Sequence, residues 1–237
     1  MFNSMSLADK IKHVRGSIVA IAFNPQVDRP EKLKIVASGF CISNNGKILT
    51  VAHLLGQLND KQKDTLKALV MFSDDGTIQS YELLPLKLLK ENKKTDLALF
   101  QLENYEKTLL KKLELGNSDS VEVGHDVYFI GFPYATELMK EGFGVSLIVN
   151  KGIVSSLKHD GTDSSHGRNW VFVDSISNPG NSGCPLIDVE SNKVIGVMSI
   201  SFRTRSQTVP QLDIREPMHI AGAKPINLVK ELIGTKE

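Results

Sequence analysis

The stretch Asn178-Pro179-Gly180-Asn181-Ser182-Gly183-Cys184-Pro185 places one serine between two glycines and two prolines. The glycines allow backbone conformations that a Cβ forbids, and the prolines stiffen the turn. Such a turn leaves the N–H groups of Gly180 and Ser182 free to point at a negative charge that develops beside the serine oxygen. The same pattern is typical of an ordinary tight turn between strands. Its function therefore depends on which other groups the chain supplies.

Two further residues have the chemistry that a reactive serine needs. His53 follows the apolar run 47–51, at the point where a strand ends and a polar stretch begins. Asp96 precedes the apolar run 97–102, so we expect its carboxylate to be half buried. Taken singly, the histidine is typical of a structural residue and the aspartate of a cap or a turn. Together with Ser182 they predict a base, the acid that fixes its tautomer, and a nucleophile.

With this order of histidine, aspartate and serine the chain resembles the trypsin-like serine peptidases, and most closely their HtrA/Deg-type branch. Subtilisin-like and α/β-hydrolase enzymes use other orders. The resemblance spans roughly residues 18–232 and includes the segments Ser38-Gly39-Phe40, Leu115-Gly116-Asn117-Ser118-Asp119, Gly131-Phe132-Pro133-Tyr134 and Gly152-Ile153-Val154-Ser155, together with Asp174.

The resemblance implies a role for each residue of the triad. His53 would be the general base, Asp96 its orienting partner and Ser182 the nucleophile, with the amides of Gly180 and Ser182 as the oxyanion hole. The implied activity is that of a serine endopeptidase that hydrolyses peptide bonds of protein substrates through an acyl-enzyme.

Two other functions could use the same residues. A trypsin-like fold with a collapsed oxyanion hole or an occluded cleft would be a catalytically silent binding or scaffold module. An esterase would use the same triad on another substrate. All three triad residues are present, which favours an enzyme over the silent module, and the fold resemblance favours a peptidase over an esterase.

The resemblance also implies a substrate-binding pocket, lined by Ile176, Ser177, Ser199, Ile200 and Ser201. Ile176 stands where trypsin has an acid, so a preference for Arg or Lys would lack its counter-charge. Met198 stands where glutamyl endopeptidases of this fold have a histidine, which disfavours Glu. We therefore expect a small to medium aliphatic side chain before the cleaved bond.

Two residues of the serine turn depart from related enzymes. Digestive trypsin-like enzymes have an aspartate before the serine, which pairs with an amine freed by zymogen cleavage. Asn181 cannot form that ion pair, so we expect activity without obligatory N-terminal processing. Cys184 stands where the family usually has glycine. Its thiol either packs as a small hydrophobic group or, if Cys41 lies near it, forms a redox clamp between two strands.

The pattern of apolar runs predicts an all-β fold. Spacing typical of a capped helix occurs at Ser6 to Val14, and Pro225 precedes a second apolar helical pattern. Between them, turn signals separate short strand-like runs at 18–23, 35–42, 47–51, 68–72, 79–89, 97–102, 126–130, 146–149, 152–156, 170–174, 185–189 and 194–202. We predict an N-terminal helical extension (1–16) and a peptidase domain (17–237) of two six-stranded antiparallel β-barrels, about 17–112 and 113–224, plus a C-terminal helix (225–233).

Composition excludes several classes of partner. Lys and Arg number 28 against 27 Asp and Glu, a net charge of +1, so no basic field indicates nucleic-acid binding. The apolar run 17–23 is far shorter than the ~20 residues of a membrane span. No cofactor is implied, and no metal site, because the other histidines show no ligand spacing with the two cysteines. The predicted partner is a protein or peptide substrate, and the resemblance leaves a homo-oligomer open.

Localisation is inferred from the lack of a leader pattern and from the cysteine count. The run near the N-terminus lacks the small-residue cleavage pattern of a signal peptide. With two cysteines only, the chain is typical of a reducing cytoplasm. We therefore expect a cytoplasmic protein, with export by a non-standard route left open.

Overall fold

The computed structural model of the chain describes residues 5–25, 33–74, 79–105, 110–161, 167–208 and 214–233. Twelve strands lie within these ranges, and they are β1 Ile18–Phe23, β2 Lys34–Cys41, β3 Lys47–Val51, β4 Lys67–Asp74, β5 Gln79–Asn92, β6 Leu97–Leu102, β7 Asp126–Gly131, β8 Ile148–Lys158, β9 Trp170–Val173, β10 Pro185–Asp188, β11 Val194–Arg205 and β12 Arg215–Pro225.

The strands form two closed antiparallel barrels, as predicted. The first barrel has the strand order β1-β2-β3-β6-β5-β4, and the second has the order β10-β11-β12-β9-β8-β7. Closure pairs every strand with two neighbours, so no unpaired sheet edge remains within a barrel. Each barrel has its own apolar interior, with Phe40 and Phe100 in the first and Phe129 and Val171 in the second. The all-β prediction is confirmed.

Short helices flank the barrels. The α-helices are α1 Leu7–Val14, α2 His53–Gly56, α3 Asp60–Lys63, α4 Ala135–Lys140 and α5 Val229–Ile233, and 3₁₀ turns lie at Arg15–Ser17, Ser118–Ser120 and Ile226–Leu228. Ser6 caps α1, because its side chain accepts a hydrogen bond from the Asp9 N–H. Val14 is buried, and Leu7 and Ile11 pack beside it, so the apolar face of α1 lies against the main hydrophobic core. None of the helices in the described ranges is long and apolar enough to cross a membrane.

Two strands differ from the sequence prediction. The predicted strands at 146–149 and 152–156 are parts of one strand, β8, which begins at Ile148 and continues through Gly152. The sequence pattern gave no strand at β12, although this strand completes the second barrel. Its outer half pairs with the outer half of β11, and residues 215–220 are all exposed. Because neither face of this hairpin is buried there, the sequence lacks the alternation of apolar and polar residues that indicates a strand.

Candidate active site

His53 and Asp96 lie just beyond the paired ends of two strands of the first barrel. Val51 of β3 pairs with Leu97 of β6, so the residues that continue these strands emerge side by side. His53 begins α2, and Asp96 adopts a left-handed conformation with φ of 55°. The strand pairing therefore places the imidazole and the carboxylate together at one edge of the barrel.

Both oxygens of the Asp96 carboxylate accept hydrogen bonds from His53. Asp96 Oδ1 accepts the His53 backbone N–H at 2.8 Å, and Asp96 Oδ2 lies 2.8 Å from His53 Nδ1. With Asp96 ionised, the proton sits on Nδ1 and the Nε2 lone pair is free for a substrate or a nucleophile. The pair thus fixes both the tautomer and the orientation of the imidazole.

Ser199 completes the environment of Asp96 from the second barrel. Its Oγ donates a hydrogen bond to Asp96 Oδ2 at 2.6 Å. Burial raises the pKa of Asp96, but the hydrogen bonds from His53 and Ser199 outweigh it, so the pKa of this carboxyl lies below its ordinary value. Ser199 was predicted to line the substrate pocket, which stays a prediction, and the structure shows its hydroxyl bound to the Asp96 carboxylate. Its position in a β-bulge between Met198 and Ile200 explains this orientation.

The turn that carries Ser182 is held through its backbone. The Asn181 N–H donates to the Asn178 carbonyl at 2.9 Å, and the Cys184 N–H donates to the Asn181 carbonyl at 3.0 Å. Gly180 and Gly183 have φ of 98° and 87°, and a Cβ on either residue would collide with a neighbouring backbone carbonyl. Both glycines are therefore required by the shape of this turn.

The N–H groups predicted to form the oxyanion hole are not engaged. Neither the Gly180 N–H nor the Ser182 N–H donates a hydrogen bond to any residue that the structure describes. Likewise, no hydrogen bond between Ser182 Oγ and His53 occurs among the described side chains, as is common in unliganded sites whose geometry tightens when substrate binds. Both donors thus remain available for a ligand.

A cleft of ≈ 240 Å³ adjoins the serine turn on one side. Pro179, Gly180 and Tyr134 line it from the second barrel, and Ile35 and Val36 line it from the first. The residues predicted for the pocket lie on other segments. Ser177 is buried, Ile176 and Ser201 are partly buried, and Ile200 is 39% exposed.

A second buried charge, missed by the sequence analysis, lies on β12. The ammonium of Lys224 is 3.6 Å from the ring centre of Trp170 and 3.8 Å from the carboxylate of Asp160. Burial lowers the pKa of Lys224, and the carboxylates of Asp160 and Asp96 act in the opposite direction. Lys224 is therefore a buried cation whose charged form is favoured by the carboxylates of Asp160 and Asp96.

The two cysteines are free thiols with different surroundings. Cys184 is fully buried beside Ser38, Asn181 and Gly131, and burial raises the pKa of its thiol to about 12. Cys41 packs in the core of the first barrel, and its Sγ donates to the Ser43 carbonyl. This arrangement favours packing over the redox clamp. No three His, Cys, Asp or Glu side chains in the described ranges are placed to hold a metal ion.

Comparison with known proteins gives a consistent result. Residues 37–197 match the family described as Trypsin-like peptidase domain. A relative described as "Probable periplasmic serine endoprotease DegP-like", from Pseudomonas putida (strain GB-1), is 31% identical over 198 residues, which are 84% of this chain and 36% of that protein. A "Probable serine protease do-like" from Buchnera aphidicola subsp. Acyrthosiphon pisum (strain APS) is 29% identical and covers 86% of this chain and 36% of its own. The chain thus spans little more than a third of the length of these relatives.

A solved structure supports the fold alone. "HtrA-type protease AlgW with decapeptide" superposes with a TM-score of 0.69 at 19% identity, over 97% of this chain and 67% of that one.

The expectation of a cytoplasmic protein is wrong. The DegP-like relatives that the chain matches are described as periplasmic, which contradicts that expectation. The cysteine count misled because both thiols are buried and unpaired, and a buried thiol is protected from oxidation in any compartment.

Proposed function

We propose that this chain, which belongs to the family of trypsin-like peptidase domains, is a serine endopeptidase of the HtrA/DegP type that cleaves protein or peptide substrates through an acyl-enzyme. The observation that carries the proposal is that both carboxylate oxygens of Asp96 accept hydrogen bonds from His53. An aspartate that only capped the turn would need one of these bonds. Two bonds fix the imidazole in the tautomer that a general base requires.

The mechanism follows from the atoms around the cleft. His53 Nε2 accepts the proton of Ser182 Oγ while Oγ attacks the carbonyl carbon of the substrate. The developing oxyanion is bound by the N–H groups of Gly180 and Ser182, and the partly buried Asp96 carboxylate stabilises the imidazolium. The imidazolium then protonates the leaving amine, and water attacks the acyl-enzyme by the same route in reverse.

Two further observations support this reading over the alternatives. The two N–H groups of the turn bind no group that the structure describes, as an open oxyanion hole requires, which favours an enzyme over a silent module. The structural neighbour is described with a decapeptide, which favours a peptide over a simple ester as the ligand.

The test is labelling by a fluorophosphonate probe together with turnover of denatured casein and of a simple ester. The wild-type protein should be labelled and should cleave casein, whereas Ser182→Ala should lose both with unchanged circular dichroism. Ser155→Ala, a change at an exposed serine of β8, is the control and should behave as wild type. Absence of labelling in the wild type would indicate the silent module, and ester turnover without casein cleavage would indicate an esterase.

A further inference from the structure

Ser38 belongs to β2 of the first barrel, yet its N–H and its hydroxyl bind the second. Its N–H donates to the Ser182 carbonyl at 2.8 Å, and its Oγ donates to the Gly180 carbonyl at 2.7 Å. The same Oγ accepts the Phe132 N–H at 3.0 Å. The residue is completely buried, so no water competes for these bonds. Ser38 therefore links the two barrels through hydrogen bonds to the carbonyls of both oxyanion-hole residues, Gly180 and Ser182.

Four consecutive carbonyls of the serine turn are each fixed by one donor. Tyr134 N–H binds the Pro179 carbonyl, and Cys184 N–H binds the Asn181 carbonyl. In a trans peptide the N–H of the next residue points opposite to the carbonyl, so these two bonds aim the N–H groups of Gly180 and Ser182. The remaining two carbonyls, of Gly180 and Ser182, are both held by Ser38.

The bond to Gly180 differs from the other three. It comes from a side chain, whereas the others come from backbone N–H groups. The peptide plane that it holds lies between the two N–H groups of the oxyanion hole. Rotation of this plane, through ψ of Gly180 and φ of Asn181, would change the direction of one N–H relative to the other, and glycine tolerates the change in ψ. The other bond that restrains this plane runs from the Asn181 N–H to the Asn178 carbonyl.

The hydroxyl proton of Ser38 has a preferred direction. Because Oγ accepts the Phe132 N–H, its proton is left to bind the Gly180 carbonyl, which is a stronger acceptor than the neighbouring Cys184 sulfur. The surroundings leave little space for another arrangement, since Ser38 Oγ and Cys184 Sγ occupy the volume that a Cβ on Gly131 would need. The donor is thus held in place by the residues that pack around it.

From this geometry we propose that Ser38 is a positioning residue of the oxyanion hole. Its hydroxyl holds the Gly180–Asn181 peptide so that the N–H groups of Gly180 and Ser182 both point at the substrate oxygen. The inference rests on the proposed peptidase function. It assigns to the first barrel a direct part in shaping the anion site of the second.

The experiment compares Ser38→Ala with Ser118→Ala in the full chain. Ser118 is also buried, and its Oγ also accepts a backbone N–H, from Asn227, but it lies in a 3₁₀ turn outside the serine turn. We expect kcat on a peptide substrate to fall by about 10- to 100-fold in Ser38→Ala, somewhat less than the loss of a whole oxyanion-hole donor, with KM nearly unchanged. Fluorophosphonate labelling should slow by a similar factor, because its phosphoryl oxygen uses the same N–H groups.

The control separates positioning from stability. The thermal midpoint of unfolding should fall by a similar amount in both variants, whereas kcat should fall only in Ser38→Ala. If Ser38→Ala folds poorly, Ser38→Cys keeps a weak donor in the same place and should give a kcat between those of wild type and Ser38→Ala. An unchanged kcat in these Ser38 variants, or an equal loss in Ser118→Ala, would overturn the inference. A wild-type protein that neither labels nor cleaves would instead overturn the proposed function.

Discussion

His53 and Asp96, on the first barrel, are joined by their side chains, whereas the turn around Ser182, on the second barrel, is held through its backbone carbonyls. The first half of the site therefore depends on charge and on the identity of two residues. The second half depends on two left-handed glycines and on the directions of peptide planes. Each half is also completed from the opposite barrel, by Ser199 at Asp96 and by Ser38 at Gly180.

The comparison predicts different kinds of sensitivity. A change of charge in the first half should alter the chemical step with little effect on folding. A change of charge in the second half should alter folding, because Asn181 and Cys184 of this turn are buried and a charge there would lose its hydration. Substitutions at the two cross-barrel contacts, Ser199 and Ser38, should have effects between these extremes.

The largest effect is expected from Asp96→Asn. An amide in place of the carboxylate can hold the imidazole in the wrong tautomer, and in trypsin-like sites this change lowers kcat by about 10⁴-fold. The measurement is kcat on a peptide substrate at neutral pH. Asp126→Asn, at a partly exposed carboxylate that pairs with Lys151 on the surface, is the control and should leave kcat unchanged. A kcat for Asp96→Asn within tenfold of wild type would show that Asp96 only caps the turn.

A charge introduced into the serine turn should act on stability. Asn181 is completely buried, its Oδ1 faces the Cys184 thiol, and its Nδ2 has no partner among the described residues. Asn181→Asp would bury a carboxylate without a cation, which should cost about 3 kcal/mol of unfolding free energy at neutral pH. The exposed Asn44→Asp is the control and should cost far less.

The pH dependence of Asn181→Asp provides the stricter test. Burial would raise the folded-state pKa of the new carboxyl above its unfolded value, so the penalty is absent where both states are protonated and grows as pH rises through the folded pKa. The unfolding free energy of the variant should therefore approach that of wild type in acid and fall below it at neutral pH. A constant difference at all pH values would mean that the carboxylate finds a cation.

The same comparison explains which parts of the site the sequence could predict. His53, Asp96 and Ser182 could be proposed because each stands in a local context that suits its role and because their order matches that of the trypsin-like peptidases. Ser38 and Ser199 were not assigned their contacts, because a serine in a strand carries no local sign of the carbonyl or carboxylate that it meets across the barrels. The outer half of β12 was missed for a related reason, since an exposed hairpin has no buried face to set a period.

Ser199→Ala should give an intermediate effect. It removes one hydrogen bond to a partly buried carboxylate, which is worth about 2 kcal/mol for a charged acceptor. Because the pKa of Asp96 lies below its ordinary value, its stabilising contribution is present above the unfolded pKa and is lost as pH falls through the folded pKa. With Ser199 absent the folded pKa rises, so stability should be lost at a higher pH than in wild type. Urea unfolding across the acidic range measures this shift, and superimposable pH profiles would show that the bond contributes nothing.

The smallest effect is expected from thiol chemistry at Cys184. Burial raises its pKa to about 12, so at neutral pH the residue is a thiol without access to solvent and reacts slowly with alkylating agents. Activity should be the same with and without reductant, and iodoacetamide should modify the two cysteines only after denaturation. Loss of activity under a mild oxidant, reversed by reductant, would contradict this and would mean that Cys41 and Cys184 approach each other. Such a result would also mean that the serine turn depends on side-chain chemistry, as the pair of His53 and Asp96 does.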